Sequence, residues 1–246
     1  MHRIVAITGA SSGLGLAFVK HYAAQPSTRI FALDISPLPD AVSSLENVSY
    51  YEVDVMSEES FKGVLEALTN LPIHILIHSA GVRGLAPPTS SHQDVAALEA
   101  LAATTHATFT RTFEINTWGA LLTIRTLIPH LQLASTPDSS HPDPPKVIVM
   151  SSRMGSVSAN TSGGGYAYRA SKAALNAVAK SLSVDVPGVV VLALHPGRVE
   201  TGLVEWKDEG AMSVEESLGT CLMVIEGVGL RDTGRFLNRF GAVIGW

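Results

Sequence analysis

The chain has 246 residues, 46% of them hydrophobic, which is enough for one sizeable α/β core. Its net charge is −5 with no basic block, and this argues against a nucleic-acid partner. A single cysteine excludes an intrachain disulfide, no apolar run approaches the ~20 residues that span a bilayer, and the first strand leaves no room for a secretory leader, so a soluble cytoplasmic protein is expected.

Residues 4–7 (Ile-Val-Ala-Ile) read as a short buried strand. Thr8-Gly9-Ala10-Ser11-Ser12-Gly13-Leu14-Gly15 follows, and then an amphipathic helix over 16–24. Strand, glycine turn and helix place a helix N-terminus against a diphosphate. Gly9 suits the tight turn, Gly13 lets the backbone approach a ligand, and Gly15 lets the helix pack close to the strand. A second strand, 29–34, ends at Asp34, 19 residues after Gly15, where an acidic side chain can accept ribose hydroxyls. Neither Ile35 nor Ser12 is basic, and Arg29 lies at the wrong end of that strand to meet a 2′-phosphate. NAD(H) is therefore the expected cofactor and NADP(H) the less favoured one.

Strand-like runs continue at 48–53, 73–78, 147–150, 189–194 and 235–238, alternating with helical runs at 58–68, 92–103, 107–133, 168–183 and 213–227. This predicts a single-domain α/β fold, a doubly wound parallel sheet of Rossmann type with helices on both faces. Residues 134–146 hold four prolines and three serines, which cannot continue a helix or join a sheet, and read as an exposed loop. The segment 83–108 lies on the carboxyl edge of the sheet, where ligands bind, and is expected to shape a substrate entrance.

Tyr168-Arg-Ala-Ser-Lys172 opens an alanine-rich helix. Positions i and i+4 share a helix face, so the phenol and the ammonium can enter one pocket. A lysine charge there is expected to lower the tyrosine pKa by roughly 2 to 3. Tyr166 has only Ala170 at that spacing, so the proton donor is assigned to Tyr168. Ser152 lies 16 residues before Tyr168 and Ser156 lies 12 before it, and spacing does not separate them. The strand-end context favours Ser152, while Ser151 would point to the opposite side of an extended chain.

Together these segments resemble the short-chain dehydrogenase/reductase family, from about residue 3 to the C-terminus. The turn Thr8–Gly15, with Ser11, Ser12 and Leu14, looks like its cofactor loop. Asp54-Val55 resembles its adenine-contacting pair, and Ser79-Ala80-Gly81 its Asn-Asn-Ala-Gly turn, with His78 and Ser79 replacing the asparagines. Asn116 sits where the family keeps an asparagine in a central helix. The segment Pro196-Gly197-Arg198-Val199-Glu200-Thr201 resembles the one that holds the nicotinamide carboxamide. The stretches 151–156, 162–168 and 194–197 are similar to the sniffer and C-factor type carbonyl reductases.

The resemblance implies an oxidoreductase moving hydride between nicotinamide and a secondary alcohol, ketone or aldehyde. Ser152, Tyr168, Lys172 and Asn116 would be its catalytic residues, with Lys172 also on the ribose and Asn116 bending its helix and relaying a proton through water. Met154, Val157, Leu203, Val204, Trp206 and Met212, the last four in or near a lid at about 202–215, favour a partly apolar carbonyl compound. His78 and His195 read as packing residues, and none of the nine histidines shows a metal-ligand spacing, so no metal is expected. Small residues on 107–123 and 168–183 suit packing across a two-fold axis into a homodimer or homotetramer. A nucleotide-binding signalling protein and a lyase or isomerase on the same scaffold are the rival readings; net NADH production separates the oxidoreductase from both.

Overall fold

The computed structural model describes residues 3–85, 95–136, 141–203 and 210–246. Within them one seven-stranded sheet is built from β1 (Arg3–Thr8), β2 (Thr28–Asp34), β3 (Val48–Glu52), β4 (Ile75–His78), β5 (Lys146–Met150), β6 (Val190–His195) and β7 (Arg235–Asn238). The order is β3-β2-β1-β4-β5-β6-β7, and every neighbouring pair is parallel. Parallel strands are covered on both faces, which is why they read as continuous apolar runs.

Alternate residues of each strand feed alternate layers. Ile4 and Ala6 of β1 join Phe31, Leu76 and Val147 on one face, beneath α3 (Lys62–Ala67), α6 (Gly119–Ala134) and α7 (Tyr166–Asp185). Val5 and Ile7 join Ile30, Ile77 and Ile148 on the other, beneath α1 (Gly13–Ala23), α2 (Asp40–Ser43) and α8 (Val214–Gly227). Phe18 of α1 and Leu127 of α6 are fully buried in these layers. Each such side chain contributes about 1.5–3 kcal/mol by leaving water.

β1 and β4 are neighbours, and the chain winds away from them in opposite directions. That switch point opens a crevice at the carboxyl ends of the strands, where ligands of such sheets bind. Between β4 and α6 the described residues form α4 (Val95–Leu98), a 3-10 turn (Leu101–Ala103) and then α5 (His106–Phe113). The run 107–133, read as one helix, widens into π-helix over Glu114–Trp118 before α6.

Other boundaries differ from expectation. α7 starts at Tyr166, two residues before the run read at 168–183, and continues to Asp185. The chain then turns at Gly188, whose φ of +85° suits glycine. Of the loop 134–146, Ala134 ends α6, Lys146 begins β5, and 137–140 lie outside the described residues. Of the lid 202–215, residues 204–209, with Val204 and Trp206, lie outside the described residues, and Val214 already belongs to α8. No helix among the described residues is long and apolar enough to cross a membrane.

Candidate active site

The crevice is a cavity of about 1120 Å³. Its wall includes Gly9, Ser12, Gly13 and Leu14 after β1, Asp34 and Ile35 at the end of β2, and Asp54 and Val55 after β3. Ser79, Ala80 and Gly81 after β4 and Pro196, Gly197, Val199 and Thr201 after β6 also reach it. Ser11, Gly15 and Asn116 do not; they act from behind the wall.

Gly9 takes φ +65°, and a Cβ there would lie 2.8 Å from the Ala80 nitrogen. A Cβ on Gly15 would lie 1.9 Å from the Gly9 carbonyl oxygen, so the first turn of α1 rests directly on the loop. The β1 and β4 loops are further joined by Thr8, whose Oγ1 accepts the Ser79 and Ala80 N–H groups, both at 3.2 Å. The result is an α1 N-terminus with no acidic residue in its first turn, open to an anion.

Ser11 donates its backbone N–H and its hydroxyl to Asp34 Oδ2, at 2.9 and 2.8 Å. Ser36 N–H donates to Asp34 Oδ1 at 3.0 Å. These bonds fix the carboxylate at the cavity edge. No basic residue lines the cavity from the ends of β1, β2 or β3, and Arg29 stacks over Phe31 instead. Asp54 accepts the Met56 N–H at 2.9 Å, while Val55 fills the space that a side chain on Gly119 would need. The segment after β6 is fastened to α8 by the Ser217 hydroxyl, which donates to the Pro196 carbonyl at 2.8 Å.

At the other end of the cavity stand Ser152, Tyr168 and Lys172, all buried. The Ser152 hydroxyl accepts the Met154 N–H at 3.2 Å and lies close enough to the Tyr168 phenol to favour its ionised form. The serine alternatives separate cleanly. Ser156 donates to the Gly245 carbonyl, accepts the Ala159 N–H at 3.1 Å, and lies outside the cavity wall. Ser151 turns its hydroxyl to Asn176, 2.6 Å away. Tyr166 sits at the cavity too, but 42% exposed, against 7% for Tyr168.

A model of the short chain dehydrogenase family matches residues 3–211. The chain belongs to that family. C-signal of Myxococcus xanthus is 35% identical to this dehydrogenase over 177 residues, 71% of this chain and 93% of that protein. The carbonyl reductase Sniffer of D. melanogaster superposes with a TM-score of 0.80 at 28% identity, over the whole of both chains. The NADPH-bound carbonyl reductase from chicken fatty liver superposes with a TM-score of 0.82 at 27% identity, over all of this chain and 94% of that one.

The Asn116 amide donates to the Val82 carbonyl and the Ser171 hydroxyl, at 2.9 and 3.0 Å, and its oxygen accepts the Val82 N–H at 2.8 Å. It staples the β4 loop to the π-helical turn, where the helix departs from regular α geometry. One expectation needs correction: Lys172 does not dominate the Tyr168 phenol. Burial raises the phenol pKa above its usual value, opposed first by the Arg83 charge and then by the Ser152 hydrogen bond. The Lys172 ammonium donates to the Met150 carbonyl at 2.9 Å, stands 5.7 Å from the Tyr168 ring centre, and is itself pushed down to about 8 by burial.

Arg83 and Glu99 both line the cavity and were not singled out from the sequence. The signal was present for Arg83, which directly follows the turn Ser79–Val82 at the carboxyl edge. Met154 and Leu203 line the cavity as expected, whereas Val157 is 76% exposed outside it and Met212 packs over Gly197. Among the described residues no cluster of three or more His, Cys, Asp or Glu is arranged to hold a metal.

His78 gives the dehydrogenase a measurable acid sensitivity. Thr8 Oγ1 already accepts two N–H groups, so its hydroxyl proton goes to His78 Nδ1 at 3.0 Å, leaving Nε2 protonated and without a partner among the described residues. Burial and the Lys172 charge hold the His78 pKa down to about 3. A depressed folded-state pKa stabilises the fold fully above the unfolded value near ~6.5 and loses that contribution as pH falls towards the folded value, by at most about 1.4 kcal/mol per pH unit. His78→Asn keeps an acceptor for Thr8 and removes the titration. Its thermal midpoint is expected to fall less than the parent's between pH 6.5 and pH 4, the window between the usual histidine value and the depressed one; parallel curves for the two proteins would refute this.

Proposed function

We propose that this protein is an NAD(H)-preferring oxidoreductase that interconverts a secondary alcohol and a ketone, or a primary alcohol and an aldehyde, with Tyr168 as acid and base. One observation carries the reading: a single cavity has the Asp34 carboxylate at one end and the Ser152–Tyr168–Lys172 group at the other. Its floor includes Gly9, where a Cβ would collide with the Ala80 backbone, and the open N-terminus of α1, and an extended dinucleotide fits this arrangement.

The residues divide the work by position. The N-terminus of α1, from Gly13, would face the diphosphate, Asp34 the adenosine ribose, Asp54 and Val55 the adenine, and Pro196 to Thr201 the carboxamide. A bound nicotinamide supplies or takes the hydride. Ser152 donates to the substrate oxygen, and this bond strengthens as negative charge develops there. Tyr168 gives that oxygen its proton in reduction and takes it back in oxidation. Lys172, with its pKa lowered to about 8 by burial, is able to share protons near neutral pH and would hold the nicotinamide ribose. Met154 and Leu203 give the substrate end an apolar lining that suits a partly apolar carbonyl compound.

The NADPH-bound relative invites the opposite cofactor assignment. Two features of this chain favour NAD(H). A 2′-phosphate beside Asp34 meets like charge, at ~5 Å and an effective dielectric of ~20 a cost of about 3 kcal/mol, halved by screening. The Ser11 hydroxyl, a natural donor to phosphate, is already committed to Asp34. We expect kcat/KM with NADH to exceed that with NADPH by roughly tenfold or more at one salt concentration. Asp34→Ser with Ile35→Arg should swing the preference towards NADPH. A parent enzyme that prefers NADPH would overturn the cofactor assignment and leave the oxidoreductase reading standing.

A further inference from the structure

The reaction just described leaves one largely covered ion pair without a task. Arg83 pairs with both carboxylate oxygens of Glu99, through Nε and through Nη2 at 3.1 Å. The two side chains are 23% and 9% exposed. The guanidinium lies over the ring of the acid–base residue, its central carbon 4.6 Å from the Tyr168 ring centre. That is closer than the Lys172 ammonium at 5.7 Å.

Glu99 is held by more than its charge. Its main-chain carbonyl accepts the Gly165 N–H at 2.9 Å. Gly165 is the last of three successive glycines with φ of +64°, +66° and +59°, the strap that delivers the chain into α7 and so to Tyr168. One residue therefore grips both the cation on the phenol and the backbone that presents the phenol.

We infer that Arg83 and Glu99 are positioning residues that clamp Tyr168 with two opposed charges, the arginine favouring loss of the phenolic proton and the glutamate tempering the arginine. The inference rests on Tyr168 being the acid–base residue. Other groups face the same space. Lys172 comes from the same helix, Ser152 from the strand end, Arg153 from the turn after it and Arg111 from α5. Arg83 and Ser152 act on the phenol against burial, and Glu99 acts with it.

The clamp makes a signed prediction that a scaffold role does not. Arg83→Gln removes the favouring charge, so the phenol should titrate higher, by about 1 pH unit or more. Glu99→Gln leaves the arginine charge unopposed, so the phenol should titrate lower than in the parent. Arg83→Lys should restore part of the shift. The readout is tyrosinate absorbance in a pH titration, each protein measured against the same protein carrying Tyr168→Phe, so that only Tyr168 contributes. The rising limb of alcohol oxidation, which needs the phenolate, should move in the same directions with unchanged NADH affinity.

Shifts of the same sign in Arg83→Gln and Glu99→Gln, or none in either, overturn the clamp. If Arg83→Gln fails to fold, the downward shift in Glu99→Gln and the smaller upward one in Arg83→Lys decide the matter. The titration needs no turnover. A Tyr168→Phe protein that still turns over would therefore sink the proposed function while leaving the titration result interpretable.

Discussion

Tyr168→Phe is expected to lower kcat by at least about 10²-fold, the scale of losing a general acid or base. The phenol is the hydroxyl that meets both Ser152 and the open cavity. Phenylalanine keeps the ring, and with it the stack under Arg83, so the fold and the α7 helix should be undisturbed. NADH affinity should change little, because the lost hydroxyl faces substrate. Steady-state kinetics in both directions, together with NADH titration by fluorescence, separate these effects. Near-parental turnover would remove Tyr168 from the mechanism; a large loss of NADH affinity would move it to the cofactor side.

The second large effect lies far from the chemistry. Gly15→Ala places a methyl group 1.9 Å from the Gly9 carbonyl oxygen, well inside contact distance. Both partners are backbone, so no side chain can swing aside, and α1 must shift away from the loop. Overpacking of this kind costs about 1–3 kcal/mol of stability. The larger loss should appear in binding. Displacing the helix N-terminus by about 1 Å withdraws the N–H groups that meet the diphosphate, and a misplacement of that size can cost about 10²-fold. The dissociation constants of NAD⁺ and NADH, with the thermal midpoint, test this. Dinucleotide binding equal to the parent's would show that the loop–helix contact does not set the cradle.

The parts that were legible in the sequence are those written in local periodicity. The strands declared themselves because burial on both faces leaves most of their central residues apolar. Gly9, Gly15, Asp34, Tyr168 and Lys172 could be placed because each sits at a fixed offset from a strand or helix end. Ser152 and Ser156 could not be separated by spacing; what separates them is the Gly245 carbonyl, 89 residues from Ser156. Arg83 and Glu99 are 16 residues apart, a separation that no helix or strand period announces. The electrostatic error at Tyr168 has the same origin. A charge four residues away is visible in a sequence, whereas the desolvation that outweighs it belongs to the assembled cavity. Asn116 was located correctly as a position, but its bonds to Val82 depend on how β4 meets the helix.

The Ser156–Gly245 bond makes the serine loop depend on a distant part of the chain. The stretch that carries Ser152 continues into Ser156 and Ser158, and these are tied to the chain's final residues: Ser156 through the Gly245 carbonyl, and the Ser158 N–H through the Trp246 carbonyl at 3.1 Å. Trp246 in turn stacks on Phe236 of the last strand. The serine loop is thus braced by residues 89 positions further along the chain, and a change at Phe236 or Trp246 would reach the reaction centre through that brace rather than through the cavity wall.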